Sequence, residues 1–179
     1  MRAIPIAVTA FAAVVVLTAC DSGGDDTSEA STASPSSAAS TACEIGQVSL
    51  EVDPASTAPV AGDTGVVPFT ISNGGSTCTL EGFPGVTLAA GDVSATVAGE
   101  EGAASEKLTL AKDETATFTL TYVRGEAGDA KSLDAKTVKI SLPGTTATKE
   151  FPWTYGPVVG KTTADDPNVA VSPVQHAGD

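Results

Sequence analysis

Histidine is nearly absent from this sequence: the only one, His176, stands three residues from the end of the chain. A Ser-His-Asp site or a histidine metal cage has almost nothing to build on. Basic residues are scarce as well. Nine Lys and Arg face 22 Asp and Glu, for a net charge of −13, and no basic residue lies between Arg2 and Lys107. This argues against nucleic-acid binding, where a basic patch supplies most of the affinity. It argues equally against electrostatic docking on anionic lipid. Aromatics are 4% of the chain, so a core must lean on Val, Leu, Ile and Ala. There is no Gly-x-Ser-x-Gly elbow and no phosphate-cradling glycine loop with a Lys. Beyond residue 19 no long segment repeats with helical period.

What is present begins with an address. Arg2 is a short positive start, and Ala3 to Thr18 is apolar and uncharged. That run is short for a membrane-spanning helix, which needs about 20 residues. It fits a signal peptide over residues 1–19. Leu17-Thr18-Ala19-Cys20 then resembles the bacterial lipobox: an aliphatic residue, two small residues and a cysteine. Small residues suit a tight peptidase pocket, and the Cys20 thiol would receive a diacylglyceryl group with palmitate-type chains. Two acyl chains, at about 0.8 kcal/mol per buried CH₂, make a stable anchor where one would be marginal. An ordinary signal peptide with an accidental cysteine is the alternative.

Residues 20–42 read as the lipidated cysteine and a disordered tether. Asp21 to Ala42 holds Ser, Thr, Ala, Gly, Asp, Glu and one Pro, with no Val, Leu, Ile, Phe, Tyr or Trp. Such a segment cannot offset its own ordering entropy. Its root-mean-square span is about 25–30 Å.

From residue 43 to 160 the pattern has period two. Val48, Leu50 and Val52 alternate with polar residues, as do Val67, Phe69 and Ile71, and Leu108 and Leu110. Ala116, Phe118, Leu120 and Tyr122 alternate with Thr117, Thr119 and Thr121, and Val138, Ile140 and Leu142 with Lys139 and Ser141. Each reads as a strand with one buried and one wet face. Asn73-Gly74-Gly75, Pro84-Gly85, Gly91-Asp92, Lys112-Asp113 and Pro143-Gly144 mark turns, the first predicted as a hairpin at positive φ. The fold class is all-β, an immunoglobulin-like antiparallel sandwich. Pro68 would suit an edge strand. Residues 161–179 are expected to be a mobile tail, with Val169-Ala170-Val171 able at most to add an edge strand.

Three cysteines occur. With Cys20 taken by lipid, Cys43 and Cys78 are an even pair in an oxidising compartment, which predicts a disulfide. A redox pair or a metal site is the alternative, without Cys-x-x-Cys spacing to support it.

The run Asn73-Gly74-Gly75-Ser76-Thr77-Cys78-Thr79-Leu80-Glu81-Gly82-Phe83-Pro84-Gly85-Val86 resembles the core motif of the actinobacterial family known as domain of unknown function 4232. Cys43 matches the cysteine that opens that family's domain. The resemblance covers roughly residues 43 to 155. It implies a lipobox, a Ser/Thr-rich tether and one β-sandwich, and it implies no activity. A second cysteine pair found in many members is absent.

Chemistry is hard to find. Glu100-Glu101 and Asp113-Glu114 are candidate carboxylates, read first as a solvated acidic rim. Asp165-Asp166 and Asp25-Asp26 lack the spacing of a calcium loop. Phe151-Pro152-Trp153-Thr154-Tyr155 is the densest aromatic run, and Trp153 and Tyr155, if exposed, would form a platform for sugar or peptide. The expectation is no enzyme, no catalytic residue, no metal and no cofactor. It is a lipoprotein on the extracytoplasmic face of the cell membrane, anchored through Cys20, displaying a non-catalytic binding or structural module. Its partner would be an envelope protein or cell-wall glycan. The alternatives are an envelope hydrolase with a carboxylate site, or a small-ligand or ion-binding lipoprotein.

Overall fold

The computed structural model describes residues 41–178, and all its regular elements are strands. In chain order they are β1 (Thr41–Ala42), β2 (Val48–Val52), β3 (Thr64–Asn73), β4 (Cys78–Glu81) and β5 (Gly85–Ala90). Then come β6 (Val93–Gly99), β7 (Lys107–Leu110), β8 (Thr115–Val123), β9 (Ser132–Leu133) and β10 (Thr137–Ser141). The last four are β11 (Thr148–Pro152), β12 (Val158–Val159), β13 (Val169–Val171) and β14 (Gln175–His176). The signal peptide, Cys20 and nearly all of the tether lie outside the described residues.

One sheet dominates. Its order is β11-β10-β5-β6-β13-β8-β3-β2, with β14 also paired to β8. Two small sheets, β1-β4-β7 and β12-β9, complete the set. Every pairing is antiparallel except β13 with β6 and β1 with β4. The large sheet curls until its ends approach. Lys149 Nζ on β11 donates to the Leu50 carbonyl on β2 at 2.8 Å, and the Phe151 ring meets Phe69 edge-on at 5.8 Å. The two halves of the curl, β2-β3-β8 and β6-β5-β10-β11, thus share one core as a sandwich.

The period-two pattern explains that core. Val67, Phe69 and Ile71 of β3 are fully buried, as are Ala116, Leu120 and Tyr122 of β8, with Phe118 at 1% exposure. Phe69 and Phe118 sit opposite one another in register and stack at 4.9 Å. Such cross-strand aromatic pairs stabilise a sheet beyond their burial. Leu108, Leu110, Val138, Ile140 and Leu142 are buried as their alternation predicts. The Gly91-Asp92 signal closes a hairpin of β5 and β6, which bury Val86, Leu88, Ala95 and Val97.

Three expectations are corrected. The first concerns the C-terminus. Residues 161–178 are not a mobile tail, and Val169–Val171 is not an edge strand. β13 lies inside the sheet, parallel to β6 (Ala170 opposite Ala98) and antiparallel to β8 (Val171 opposite Leu120). Val169 and Val171 are buried there and Val174 beyond them. Three apolar side chains suffice because the seam is already lined on both sides by unpaired backbone groups, which must be satisfied when buried.

The second concerns Asn73. No β3–β4 hairpin forms, since β4 pairs with β1 and β7 in another sheet, and neither Gly74 nor Gly75 adopts positive φ. Asn73 is instead buried, at 1% exposure. Its Nδ2 donates to the carbonyls of Ser76 (3.0 Å), Leu110 (3.0 Å) and Ala111 (3.2 Å), and its Oδ1 accepts from Gly75 N (2.9 Å). The side chain thereby fastens the end of β3 to the β7–β8 turn.

The third concerns Pro68. β3 is an interior strand, between β2 and β8. Pro68 is tolerated because it faces the point where the β2 ladder ends. Its carbonyl accepts from Asp53 N at 3.0 Å, and only the return bond is missing.

Replacing Val171 by Asp would put an unpaired charge into this seam. The expected loss is about 4 kcal/mol, or failure to fold, measured by urea unfolding. A mobile tail would tolerate the change, so unaltered stability would contradict the placement of β13.

Candidate functional site

The disulfide is present: Cys43 and Cys78 are bonded, with Cα atoms 4.9 Å apart, and both are buried. Cys43 N also donates to the Thr79 carbonyl at 3.0 Å, and β1 runs beside β4. So Thr41 and Ala42, placed in the tether by composition, already belong to the domain. The separation of 35 residues corresponds to about 3–4 kcal/mol in the chain-entropy account.

The aromatic platform is corrected. Trp153 is only 4% exposed. Its ring packs edge-on against Tyr122 at 5.2 Å, and its Nε1 donates to the Gly156 carbonyl at 2.8 Å. The chain turns back at Gly156, with φ of 88°, and this folds the indole over the sheet end. Tyr155 is half-buried on the indole, 4.9 Å away and perpendicular. Burial pushes its hydroxyl above the ordinary phenol range, and the neighbouring Tyr122 adds to this.

The candidate carboxylates scatter. Glu100 and Glu101 are exposed between β6 and β7. Asp113 takes the left-handed conformation (φ 68°) in the β7–β8 turn, and Glu114 Oε2 accepts from Ala111 N at 2.8 Å. Asp166 Oδ2 accepts from the Thr162 hydroxyl at 3.4 Å within its own loop. His176 lies in β14 and shares a concavity of about 250 Å³ with Glu106. A second concavity, about 540 Å³, has Glu44 as its one carboxylate, and a third, about 510 Å³, has Glu126. None of these three brings together the pair that glycoside hydrolysis needs. Asp25-Asp26 lies outside the described residues.

The third concavity is the most constructed. β3 is ten residues long, so it sets the two ends of the sandwich about 30 Å apart. β1, Asn73 and His176 mark the near end. Thr64 and Val123, opposite one another, mark the far end. There the Tyr122 hydroxyl, fully buried, accepts from Ala58 N at 3.2 Å and donates to the Tyr155 carbonyl at 3.3 Å. Gly65 is required beneath it, because a side chain there would collide with the phenol ring. Arg124 Nη1 donates to the carbonyls of Ala58 (2.7 Å) and Pro59 (3.1 Å). Gly62 N donates to the Arg124 carbonyl, and Arg124 N to the Asp63 carbonyl. The loop 58–63 is therefore held at several points, yet it presents Val60 at 61% exposure, the most exposed large apolar side chain among the described residues. The 510 Å³ concavity opens between Pro59–Ala61 and the stretch Arg124–Ala127.

Sequence reasoning missed this end. One signal was available: Arg124 is the only arginine after Arg2. Tyr122 was legible as core, but its hydroxyl partners come from loops that have no pattern.

Two measurements test the far end. Tyr122→Phe leaves the Ala58 N–H and the Tyr155 carbonyl without their partner. It should cost about 1–3 kcal/mol and speed amide exchange in residues 58–63; unchanged exchange would refute the hub. Because the folded Tyr155 pKa is raised, its contribution is complete below the ordinary phenol value near 10 and is lost as pH climbs through the folded value. Stability should fall on the alkaline side, and Tyr155→Phe should make that fall shallower in pH-dependent melting.

No curated protein and no solved structure matches the chain. The family model described as "Domain of unknown function (DUF4232)" matches residues 43–175, from the first disulfide cysteine to β14. With the sandwich and the Cys43–Cys78 bond in place over that span, the chain belongs to the DUF4232 family.

Proposed function

We propose that this protein is a lipid-anchored lipoprotein of the extracytoplasmic membrane face, and that its sandwich is a non-catalytic binding module. The Leu17-Thr18-Ala19-Cys20 sequence and the uncharged apolar run before it support the anchor. The observation that carries the binding role is polarity along the sandwich. The chain enters at the near end, beside the Cys43–Cys78 bond, and its last described strand, β14, pairs with β8 at that same end. Among the described residues, neither the first strand nor the last stands at the far end. Its 58–63 loop is fastened to the end of β8, and the exposed large apolar residues among those described, Val60 and Val93, stand there. An anchor upstream of Cys43 would leave that surface free for a partner. The partner is an envelope protein or cell-wall glycan.

Cys20→Ser should leave an unprocessed precursor and remove the fatty-acid label and the membrane-fraction signal. Normal cleavage and release of the variant would sink the anchor. A photocrosslinking residue in place of Val60 should capture an envelope component in cells, while the same residue at Glu44 of the near end should not. Equal capture at both positions would sink the polarity argument.

A further inference from the structure

We propose that the far-end concavity binds an α-carboxylate flanked by an N–H group and a small aliphatic side chain. A free amino acid and the C-terminal residue of a peptide both carry this chemistry. The inference rests on the binding-module reading and names its ligand class.

A guanidinium has five N–H donors in a rigid fork. Nη1 of Arg124 is committed to the Ala58 and Pro59 carbonyls, which fixes the orientation of the group. Among the described residues, the Nε and Nη2 donors have no hydrogen-bond partner, and Arg124 makes no ion pair. The only arginine of the domain is thus half-buried and without an ion-pair partner among the described residues. The Nε–Nη2 edge can grip a carboxylate through two parallel bonds.

Glu126 lines the same concavity and likewise makes no ion pair among the described residues. Two opposite charges two residues apart thus share one rim without neutralising each other. Gly125 between them is pinned. Its N–H donates to the Pro157 carbonyl at 2.8 Å, and a side chain there would collide with Ser132 and the Val159 backbone. The backbone holding the two charges therefore cannot easily relax. Their complement is a carboxylate beside an N–H or ammonium group. The remaining walls are Pro59, Val60, Ala61 and Ala127, apolar and short, which select a small aliphatic group. Gly156 leaves room for the guanidinium: a side chain there would begin 3.2 Å from Nε and 3.5 Å from Nη2.

The test uses the mature chain carrying Cys20→Ser, titrated by amide NMR with alanine, N-acetylalanine and N-acetylalanine amide. Either or both acids should shift the signals of Val60 and Gly125–Ala127, and the neutral amide should bind at least tenfold more weakly. Alanine alone binding identifies the free amino acid, and N-acetylalanine binding identifies a peptide terminus. Arg124→Gln should abolish the shifts. Since Arg124 also holds the 58–63 loop, the exposed Val60→Ser and Glu126→Gln variants serve as the second arm, each weakening the acid several-fold while melting is unchanged. Shifts equal for acid and amide, no shift with either acid at millimolar concentration, or acid binding indifferent to both exposed variants would overturn the proposal. Capture of an envelope component through position 60 together with no acid binding would overturn the ligand class alone and leave the module reading standing.

Discussion

The structure depends on one short strand, β13. β13 fills the seam between β6 and β8, pairing Ala170 with Ala98 on one side and with Thr121 on the other. Without it the sheet would split into β11-β10-β5-β6 and β8-β3-β2, each with a free edge over a common core. The hairpins on either side are local, but this closure joins positions scores of residues apart. Its loop-closure entropy is met only when most of the chain is already in place. The opposite seam, between β2 and β11, is closed differently. A lysine side chain spans it, Lys149 to the Leu50 carbonyl, rather than a strand. One seam is thus sealed by backbone pairing and the other by side chains, Lys149 over Phe151 and Phe151 against Phe69.

Two buried polar side chains then define the two ends. Asn73 collects the β7–β8 turn and the 74–76 loop at the near end. Tyr122 collects the 58 and 155 loops at the far end. Each has its polar atoms satisfied by backbone groups that strands cannot reach. In a low-dielectric interior such bonds are strong, and a missing partner is costly, so they specify one loop arrangement over its alternatives. The apolar core would accept many loop conformations, and these two side chains do not.

Where sequence patterns are dense, the fold was legible. The alternations around Phe69, Phe118 and Ile140 gave buried faces because period two and burial on one face are the same constraint. The disulfide was legible from cysteine arithmetic. The C-terminus was not, because three apolar residues carry too little period to distinguish an interior strand from a loose end; only the open seam defines their place. Asn73 was misread for a related reason. Asn-Gly is a strong hairpin signal, but the acceptors that bury it, on Leu110 and Ala111, lie nearly forty residues on. The aromatic run misled because exposure cannot be read from composition: Gly156 turns the chain, and Trp153 goes inside. Of the candidate site, only the isolation of Arg124 was visible, and without the 58–63 loop beside it that isolation carried no chemistry.

The far end differs from the near end in how its polar groups are used. At the near end both polar atoms of the Asn73 side chain are spent on backbone groups, and Cys43 is pinned by a covalent bond. At the far end Arg124 satisfies two carbonyls with one nitrogen and holds the rest of its fork in reserve. The loops beside it are fixed by Tyr122, so ordering them costs little when a ligand arrives. A rim that keeps opposite charges apart on a rigid backbone, with apolar side chains exposed next to them, is poorly explained by folding stability. Folding would favour neutralising the arginine with one of the many carboxylates. Its unspent donors are the groups that the proposed recognition would use.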